Sequence, residues 1–493
     1  MHKTKSAALR GILPVARVLG LLLMLFSSTY LLPVACSLIY RDGEHWDFVA
    51  AMAINLVIGF AMWFLTRQAK RDITPREGFL LVSLSWVLMA ACATIPLLIT
   101  IEGLSFTDAM FETVSGLTTT GSTVLTGLDR LPPSINLWRH ELTWLGGMGI
   151  IVLAVAILPL LGVGGMQLYK AETPGPIKDD KLTPRITQTA KSLWTIYIAL
   201  TALCALSYRL AGMNWLDAVC HAFATLSLGG FSTYDASFGH FDSVAIEAVS
   251  IVFMLLATLN FATHFLAWRH ARPRYYLEDP EARSILALFT LATLVLSLFL
   301  WTHQQYGSFW TCLRHVAFNM VSLATSSGFV SQDYNSWPIF VPLAFLLLSC
   351  VGASSGSTGG GMKMIRVLIL FKQSGREMFA LMHPNSVAVL KVGGKVIPPK
   401  VVTAVLGYIH LYSISILGLT FVMLATGLDF VSAFTAVIAS INNAGPGLGV
   451  VGPASNYGVL TDFQTWVCSF AMLLGRLEVF TLFVVLTPTF WRD

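Results

Sequence analysis

The stretch Asp108–Thr123, DAMFETVSGLTTTGST, decides how this chain is read, because it returns three more times. It is a short helix-like run, then a few hydroxyl or amide residues, then a glycine. Aligned on that glycine, the other copies are DAVCHAFATLSLGGFS (Asp217–Ser232), HVAFNMVSLATSSGFV (His315–Val330) and SAFTAVIASINNAGPG (Ser432–Gly447). In each the glycine follows the first residue by 13 positions, which gives Gly121, Gly230, Gly328 and Gly445. Side chains differ widely between copies while the spacing holds. The copies recur roughly every 100 residues, so the repeated unit is larger than a solenoid repeat.

Composition sets the solvent. The chain has 493 residues, 55% hydrophobic and 12% charged. A soluble domain carries roughly 25% charged residues. Mean hydropathy is +0.70, and the chain reads as an all-α polytopic membrane protein. The net charge of +5 does not point to nucleic acid, because the basic residues sit in short loops between apolar runs. Seven cysteines (Cys36, Cys92, Cys204, Cys220, Cys312, Cys350 and Cys468) are scattered singly, with no CxxC and no Cys/His cluster at metal-ligand spacing. They read as buried and inert. Pro33-Val34-Ala35-Cys36 is only a faint lipoprotein-like string, with proline where leucine belongs. The apolar run from Gly11 to about Ile39 is too long for a signal-peptide core and fits a spanning helix.

Apolar runs of about 20 residues cross the hydrocarbon layer as helices, and ten are predicted. Two precede the repeats, at 11–40 and 48–66. The four repeats add pairs at 76–100 and 141–164, 190–212 and 243–267, 284–302 and 338–371, and 401–426 and 464–488. Lys/Arg placement orients them. With the N-terminus inside, 25 of 31 basic residues fall on inner segments. Five (Arg41, Arg130, Arg139, Arg209 and Arg314) fall on outer segments, and Arg476 lies within a span. Both termini are therefore expected in the cytoplasm and every glycine hairpin on the outer side. The expected units are 1–70 (an N-terminal helix pair), 71–180, 181–275, 276–395 and 396–493.

The hairpin helices are too short to span: Asp108–Leu117 is about 15 Å long at 1.5 Å per residue. Each must enter and return on one side, and irregular backbone at that depth is tolerated only when buried in protein or lining a watery cavity. Four such hairpins can ring one axis, giving four pseudo-symmetric helix–pore loop–helix repeats around a central pore. A half-helix entering from outside points its partially negative C-terminal end at the membrane centre. Just past those ends lie Thr118-Thr119-Thr120-Gly121, Ser227-Leu228-Gly229-Gly230, Thr325-Ser326-Ser327-Gly328 and Asn442-Asn443-Ala444-Gly445. Extended backbone there presents carbonyls, glycine lets successive carbonyls aim alike, and such rings replace the hydration shell of an alkali cation. None of these strings contains a carboxylate, which argues against a divalent-cation filter. Close helix packing in lipid also uses Gly, Ser and Thr, but matched spacing in four copies favours the filter.

The second helix of the third repeat is interrupted by Gly352-Ala353-Ser354-Ser355-Gly356-Ser357-Thr358-Gly359-Gly360-Gly361. Glycine costs a helix about 1 kcal/mol per site. Two readings stand: a mobile segment beneath the filter that blocks the pore, or a cytoplasmic turn. Arg476 falls midway along the last span, where an arginine costs some ~2.5 kcal/mol or more unless it faces protein or water. Glu478, two positions on, points to nearly the opposite face of a helix and is poorly placed to pair with it. Arg476 either faces the pore and repels a passing cation, or hydrogen-bonds the loop's carbonyls; both roles are compatible.

Several long strings identify a family. WLGGMGIIVLAVAILPLLGVGGMQLYKAETPGP (Trp144–Pro176), GSTGGGMKMIRVL (Gly356–Leu368), INNAGPG (Ile441–Gly447) and GRLEVFTLFVVLTPTFWR (Gly475–Arg492) resemble the Trk/Ktr/HKT superfamily of potassium transporters, most closely its bacterial TrkH-type members. The resemblance covers essentially the whole chain, including the extra N-terminal helix pair. It implies potassium uptake across the inner membrane, with potassium as the transported ion and no cofactor. The implied filter is Thr118, Thr119 and Gly121, with Leu228, Gly229 and Gly230, Thr325, Ser326 and Gly328, and Asn442, Asn443 and Gly445. The implied gate is Gly356, Ser357, Thr358, Gly359, Gly360 and Gly361 with Arg476. Gly121 stands where sodium-preferring plant relatives carry serine, and Ala444 stands where many relatives carry threonine. The resemblance also implies a homodimer and a cytosolic nucleotide- and NAD-binding regulatory subunit of the TrkA type.

Lesser signals are weighed against these. Leu161-Gly162-Val163-Gly164-Gly165 lacks the last glycine and the preceding strand of a dinucleotide fingerprint and reads as helix-end packing. The basic segment Lys363–Lys400 is a topological anchor or a docking face for a cytosolic partner. A secondary transporter coupling potassium to protons or sodium is the alternative function. It wants a titratable group near the filter, and Glu112 alone comes close. A polytopic enzyme lacks any nucleophile–base pair or metal constellation on one side. Because Thr, Ser and Asn flank different glycines, the ring is expected to be only roughly four-fold, with looser ion discrimination than a symmetric tetrameric channel.

Overall fold

The structure is a computed structural model that describes residues 2–69, 71, 73–149, 186–386 and 388–492. Residues 150–185, which hold most of the second span expected in the first repeat and the Leu161–Gly165 string, lie outside the described residues. Two N-terminal elements come first: α1 (His2–Phe26), continued through a 3-10 turn at Ser27–Tyr30 into α2 (Leu31–Tyr40), and α3 (His45–Thr66).

Four sets follow, each with a long helix, a short buried helix and a second helix, which is broken in the second, third and fourth sets. The first is α4 (Pro75–Thr100), α5 (Phe106–Leu117) and α6 (Pro133–Gly147); the second is α7 (Ile186–Leu210), α8 (Trp215–Ser227), α9 (Val244–Thr258) and α10 (Phe261–His270). After α11 (Arg274–Glu278), the third is α12 (Pro280–Thr302), α13 (Phe309–Ala324), α14 (Phe340–Ser349) and α15 (Met364–Met382). The fourth is α16 (Pro399–Ala425), α17 (Phe430–Ile441), α18 (Asp462–Arg476) and α19 (Phe480–Leu486).

Among the described residues six helices are long and apolar enough to cross a membrane, and two bent pairs bring the number to eight. The long helices show lipid-type patterning. Along α3, Ile54, Val57, Phe60, Phe64 and Leu65 are exposed while Phe48, Ala51, Asn55 and Gly59 are buried. The helix starts are encoded locally. Thr74 and Glu77 close a capping box on α4, with Thr74 N–H donating to Glu77 at 3.0 Å and Pro75 in the first turn.

The short helices α5, α8, α13 and α17 form the centre. Every residue from Ala109 to Leu117 is buried, as is every residue from Thr435 to Ile441. Each begins at a residue whose side chain accepts a backbone N–H of the first turn: Ser105 from Asp108, Asn214 from Asp217, Ser308 from Trp310, and Asp429 from Ser432. An aromatic residue follows each cap (Phe106, Trp215, Phe309 and Phe430).

The breaks correct one expectation. Interruption was expected only in the third repeat, but α9 and α10 meet at 97° and α18 and α19 at 114°. In the first, third and fourth sets the second helix presses on the end of the short helix. A Cβ on Gly475 would fall on the Ile441 carbonyl oxygen, and one on Gly352 or Gly146 on those of Ala324 and Leu117. The freed backbone groups are re-satisfied locally, as membrane depth requires. Asn260 caps α10 by accepting from Ala262 N–H at 2.8 Å, and Val479 N–H reaches Leu474 O at 2.9 Å. The last break holds Glu478 and Val479 at φ 53° and 54°, a left-handed conformation that β-branched residues rarely adopt.

The run at 338–371 likewise splits into α14, a loop, and α15. A short antiparallel hairpin also interrupts the otherwise helical fold. Its strands β1 (Lys391–Val392) and β2 (Lys395–Val396) turn at Gly393-Gly394, both at positive φ. With Ile365, Ile369, Leu390, Ile397, Val402 and Val405, Val392 builds a second small core beside α15 and α16.

Candidate ion filter and gate

All four central helices end in the same backbone motif. Two residues before each ring glycine the backbone is left-handed (Thr119 at φ 58°, Leu228 at 56°, Ser326 at 64° and Asn443 at 52°). The next N–H then reaches back five residues: Thr120 to Ser115 O, Gly229 to Ala224 O, Ser327 to Ser322 O and Ala444 to Ala439 O, each 2.8 Å. This is a Schellman ending, usually made with glycine. One residue on, Gly121, Gly230, Gly328 and Gly445 are left-handed again, at φ 80°, 62°, 84° and 83°.

These glycines close a ring. A Cβ built on Gly121 would land on the carbonyl oxygen of Gly229, and one on Gly230 on that of Ser327. A Cβ on Gly328 would come within 2.6 Å of Ala444 O, and one on Gly445 within 3.0 Å of Thr120 O. Each glycine therefore faces the carbonyl preceding the next repeat's glycine, and the fourth returns to the first. Side chains at these positions bond to the scaffold. Thr118 Oγ1 donates to Val114 O at 2.7 Å, and Thr325 Oγ1 donates to Ser322 O at 3.2 Å. Asn442 Nδ2 donates to Ser349 Oγ at 2.9 Å, and its carbonyl accepts from the Tyr412 hydroxyl. Asn443 Nδ2 bridges Thr120 Oγ1 and Met472 O, both at 3.0 Å. The helix C-termini, with their partial negative charge, converge on the ring.

On one side of the ring opens a vestibule lined by Gly121, Gly230, Gly328, Pro446, Asp235 and Tyr457. On the other lies the Gly352–Gly361 loop. Gly360 N–H donates to Ser326 Oγ at 2.8 Å, and Thr358 Oγ1 donates to Leu226 O at 3.0 Å. Ser357 Oγ donates to Ser354 O at 2.7 Å, and Gly356 O accepts from Phe261 N–H at 3.1 Å. A Cβ on Gly359 would come 3.1 Å from Thr325 O, and one on Gly360 would fall on Asn442 O. Gly361 is left-handed at φ 74°. The loop thus contacts the inner ends of the second, third and fourth short helices.

Arg476 completes the circle. It donates to Thr358 O at 3.3 Å, Gly147 O at 3.2 Å and Thr119 Oγ1 at 3.5 Å, and also to Gly146 O. It joins loop to first repeat, the carbonyl-bonding arrangement anticipated for it. As expected, Glu478 turns elsewhere, pairing with Arg366 at 2.6 Å. Lys363 Nζ also donates into the loop, at Gly359 O.

Two contributors were not anticipated. Glu281, placed by the sequence ahead of its span, is buried and accepts from Ser355 N–H at 2.8 Å and Ile365 N–H at 3.1 Å. Arg139, placed on an outer segment, is 1% exposed and pairs with Glu112 at 2.7 Å behind the first filter strand. The aligned repeats carried a signal for the latter, since Glu112 stands nine residues before Gly121, where the other copies have His221, Asn319 and Ala436. All seven cysteines are free and buried, and no group of three or more metal-ligating side chains occurs among the described residues.

Four short half-helices converging on one glycine ring, inside a shell of apolar spans, define an all-α polytopic membrane protein of the pore-helix class. The chain belongs to the TrkH family of cation transport proteins, whose family model matches residues 44–491. It is 48% identical over 482 residues to the Trk system potassium uptake protein TrkH of Vibrio parahaemolyticus, covering 97% of this chain and 99% of that one. The protein of that name from Escherichia coli is 45% identical over 480 residues, with the same shares covered. The crystal structure of the potassium transporter TrkH from Vibrio parahaemolyticus superposes with a TM-score of 0.88 at 45% identity, covering 98% of this chain and 100% of that one.

Proposed function

We propose that this chain carries potassium into the cell across the bacterial inner membrane, through a filter of backbone carbonyls closed by the Gly352–Gly361 loop. The closed glycine ring carries this reading: four left-handed glycines, each against a carbonyl of the next repeat, are an arrangement suited to replacing the water around an alkali cation. The engagement of Thr118, Thr325, Asn442 and Asn443 side chains with the scaffold supports backbone coordination. The loop and Arg476, which together touch all four repeats just inside the ring, support their role as the gate.

Coupling to protons or sodium would need a titratable group free to cycle near the filter. Glu112 is held by Arg139 and Thr123, which supports uncoupled flux. The units 1–70, 71–180, 181–275, 276–395 and 396–493 are proposed as the helix pair and four pore repeats, with both termini cytoplasmic, as the distribution of basic residues supports. Relatives carry Trk system names, and we assign this chain a homodimeric state and a TrkA-like nucleotide-binding regulator at its basic inner face. Radiolabelled rubidium uptake into proteoliposomes, with sodium competition and an imposed proton gradient, tests the function. Selective uptake indifferent to the proton gradient is expected. Equal passage of sodium would overturn the filter, and gradient-driven uptake would establish coupling.

A further inference from the structure

We propose that the buried Arg139–Glu112 pair is a positioning device that ties the filter strands of the first two repeats together and thereby sets ion discrimination. The inference rests on the filter reading above.

The position nine residues before each filter glycine is occupied in turn by Glu112, His221, Asn319 and Ala436. The first three reach across to the strand beyond their own glycine. Glu112 accepts from Thr123 Oγ1 at 2.9 Å and Val124 N–H at 3.2 Å. His221 Nε2 meets Ser232 Oγ at 3.0 Å, and Asn319 Nδ2 donates to Ser331 Oγ at 3.0 Å. In the fourth copy the neighbouring Thr435 serves instead, accepting from Leu448 N–H at 2.8 Å. Each repeat therefore tethers its outgoing strand to its own short helix; in the second copy Asp217 adds a further tether, accepting from Thr233 Oγ1 at 2.6 Å and the Tyr234 hydroxyl at 2.9 Å, but at the position nine residues before the glycine only the first copy carries a charge.

That charge is met by a side chain that also crosses to the second repeat. Arg139 Nε donates to Glu112 at 2.8 Å, and its other nitrogens donate to Asn136 Oδ1 at 3.2 Å, Ser232 O at 3.3 Å and Thr123 Oγ1 at 3.4 Å. The guanidinium lies 4.4 Å from the centre of the Phe231 ring. The planar fork matches this set of acceptors, which a single ammonium point does not. The chain Glu112–Arg139–Ser232–His221 thus runs behind the junction where Gly121 faces the Gly229 carbonyl. At the corresponding junction of the first and fourth repeats the bonds between the strands are neutral, from Ser122 Oγ to Gly445 O and Asn443 Nδ2 to Thr120 Oγ1, and the charged tie, from Arg476, lies on the loop side of the ring. Buried ion pairs add little net stability over well-packed apolar groups, and their best-attested use is to specify one geometry. Here the geometry specified is the spacing of two carbonyl-bearing strands.

The test compares purified variants in proteoliposomes by the sodium concentration that halves rubidium uptake. Thr123→Val keeps the shape and removes the hydroxyl between Glu112 and the strand; Arg139→Lys keeps the charge and removes the fork. The double variant Glu112→Gln with Arg139→Gln removes both charges without stranding either. Arg314→Gln, which breaks an outer pair with Glu247 away from the ring, is the control. Each network variant is expected to need roughly tenfold less sodium, the scale of losing one hydrogen bond to a charged group, while the control matches wild type. Should the Arg139 variants fail to fold, Thr123→Val decides alone. Wild-type discrimination in folded Thr123→Val, or an equal loss in Arg314→Gln, overturns the inference. Wild-type protein that fails to discriminate overturns the filter reading beneath it.

Discussion

Glu281→Gln probes what holds the Gly352–Gly361 loop, the proposed gate, in place. One carboxylate oxygen of Glu281 accepts Ser355 N–H at 2.8 Å and Ile365 N–H at 3.1 Å. Ser355 precedes the Gly356–Gly361 stretch and Ile365 follows it, so a single oxygen ties the chain on both sides of that stretch. Where the carboxylate is ionised, hydrogen bonds to it contribute ~1.5–3 kcal/mol and neutral ones ~0.5–1.5, so the amide weakens each bond by about 1 kcal/mol. Two bonds give about 2 kcal/mol, or roughly 30-fold in the equilibrium between engaged and displaced loop. For a gate as proposed, shut at rest, the basal flux is expected to rise by up to that factor. Rubidium uptake by proteoliposomes holding only the purified chain reads this directly. A monodisperse Glu281→Gln protein with wild-type basal uptake refutes the reasoning, since it would mean that the neck of the loop does not control the pore.

Arg476→Ala removes the bond to Thr358 O and the ties to the first repeat, and basal rubidium uptake is expected to rise roughly tenfold, the worth of one charged hydrogen bond. Gly230→Ala would set a Cβ on the Ser327 carbonyl at a residue of φ 62°, so rubidium-over-sodium selectivity is expected to collapse even in protein that folds. In the turn between α2 and α3, burial pulls the Asp42 carboxyl up, but hydrogen bonds from Ser37, Ser134 and Glu44 outweigh it and hold the group below its ordinary 3.8. A depressed pKa contributes stability that is present above the ordinary value and lost as pH falls through the folded one. Thermal melts of wild type should therefore drop more steeply below pH 3.8 than melts of Asp42→Asn.

The glycine ring and the break at Gly352–Gly361 were legible because glycine and small-residue runs are loud signals, the ring's repeated at a fixed distance from short apolar helices. The breaks at Leu259-Asn260 and Leu477–Val479 were silent: neither stretch contains Gly or Pro, and both lie in runs apolar enough to read as unbroken spans. At the last of them the approach is tertiary, with Gly475 pressed against the end of the fourth short helix at the Ile441 carbonyl. Arg139 was misplaced for a related reason. Counting charges by segment orients spans, but it cannot tell a solvated arginine from one folded back onto Glu112. The Lys391–Val396 hairpin is too short for any alternation to register, and only its Gly393-Gly394 turn marks it. Glu281 escaped notice because its role depends on a loop about 80 residues away in sequence.

The central claim is that the four glycine strands bind an alkali cation with backbone oxygens, and anomalous scattering from crystals grown in rubidium tests it most directly. The account predicts a peak on the axis enclosed by Gly121, Gly230, Gly328 and Gly445. Rubidium absent from that axis while bound elsewhere in the same crystals, at side-chain oxygens, would contradict it.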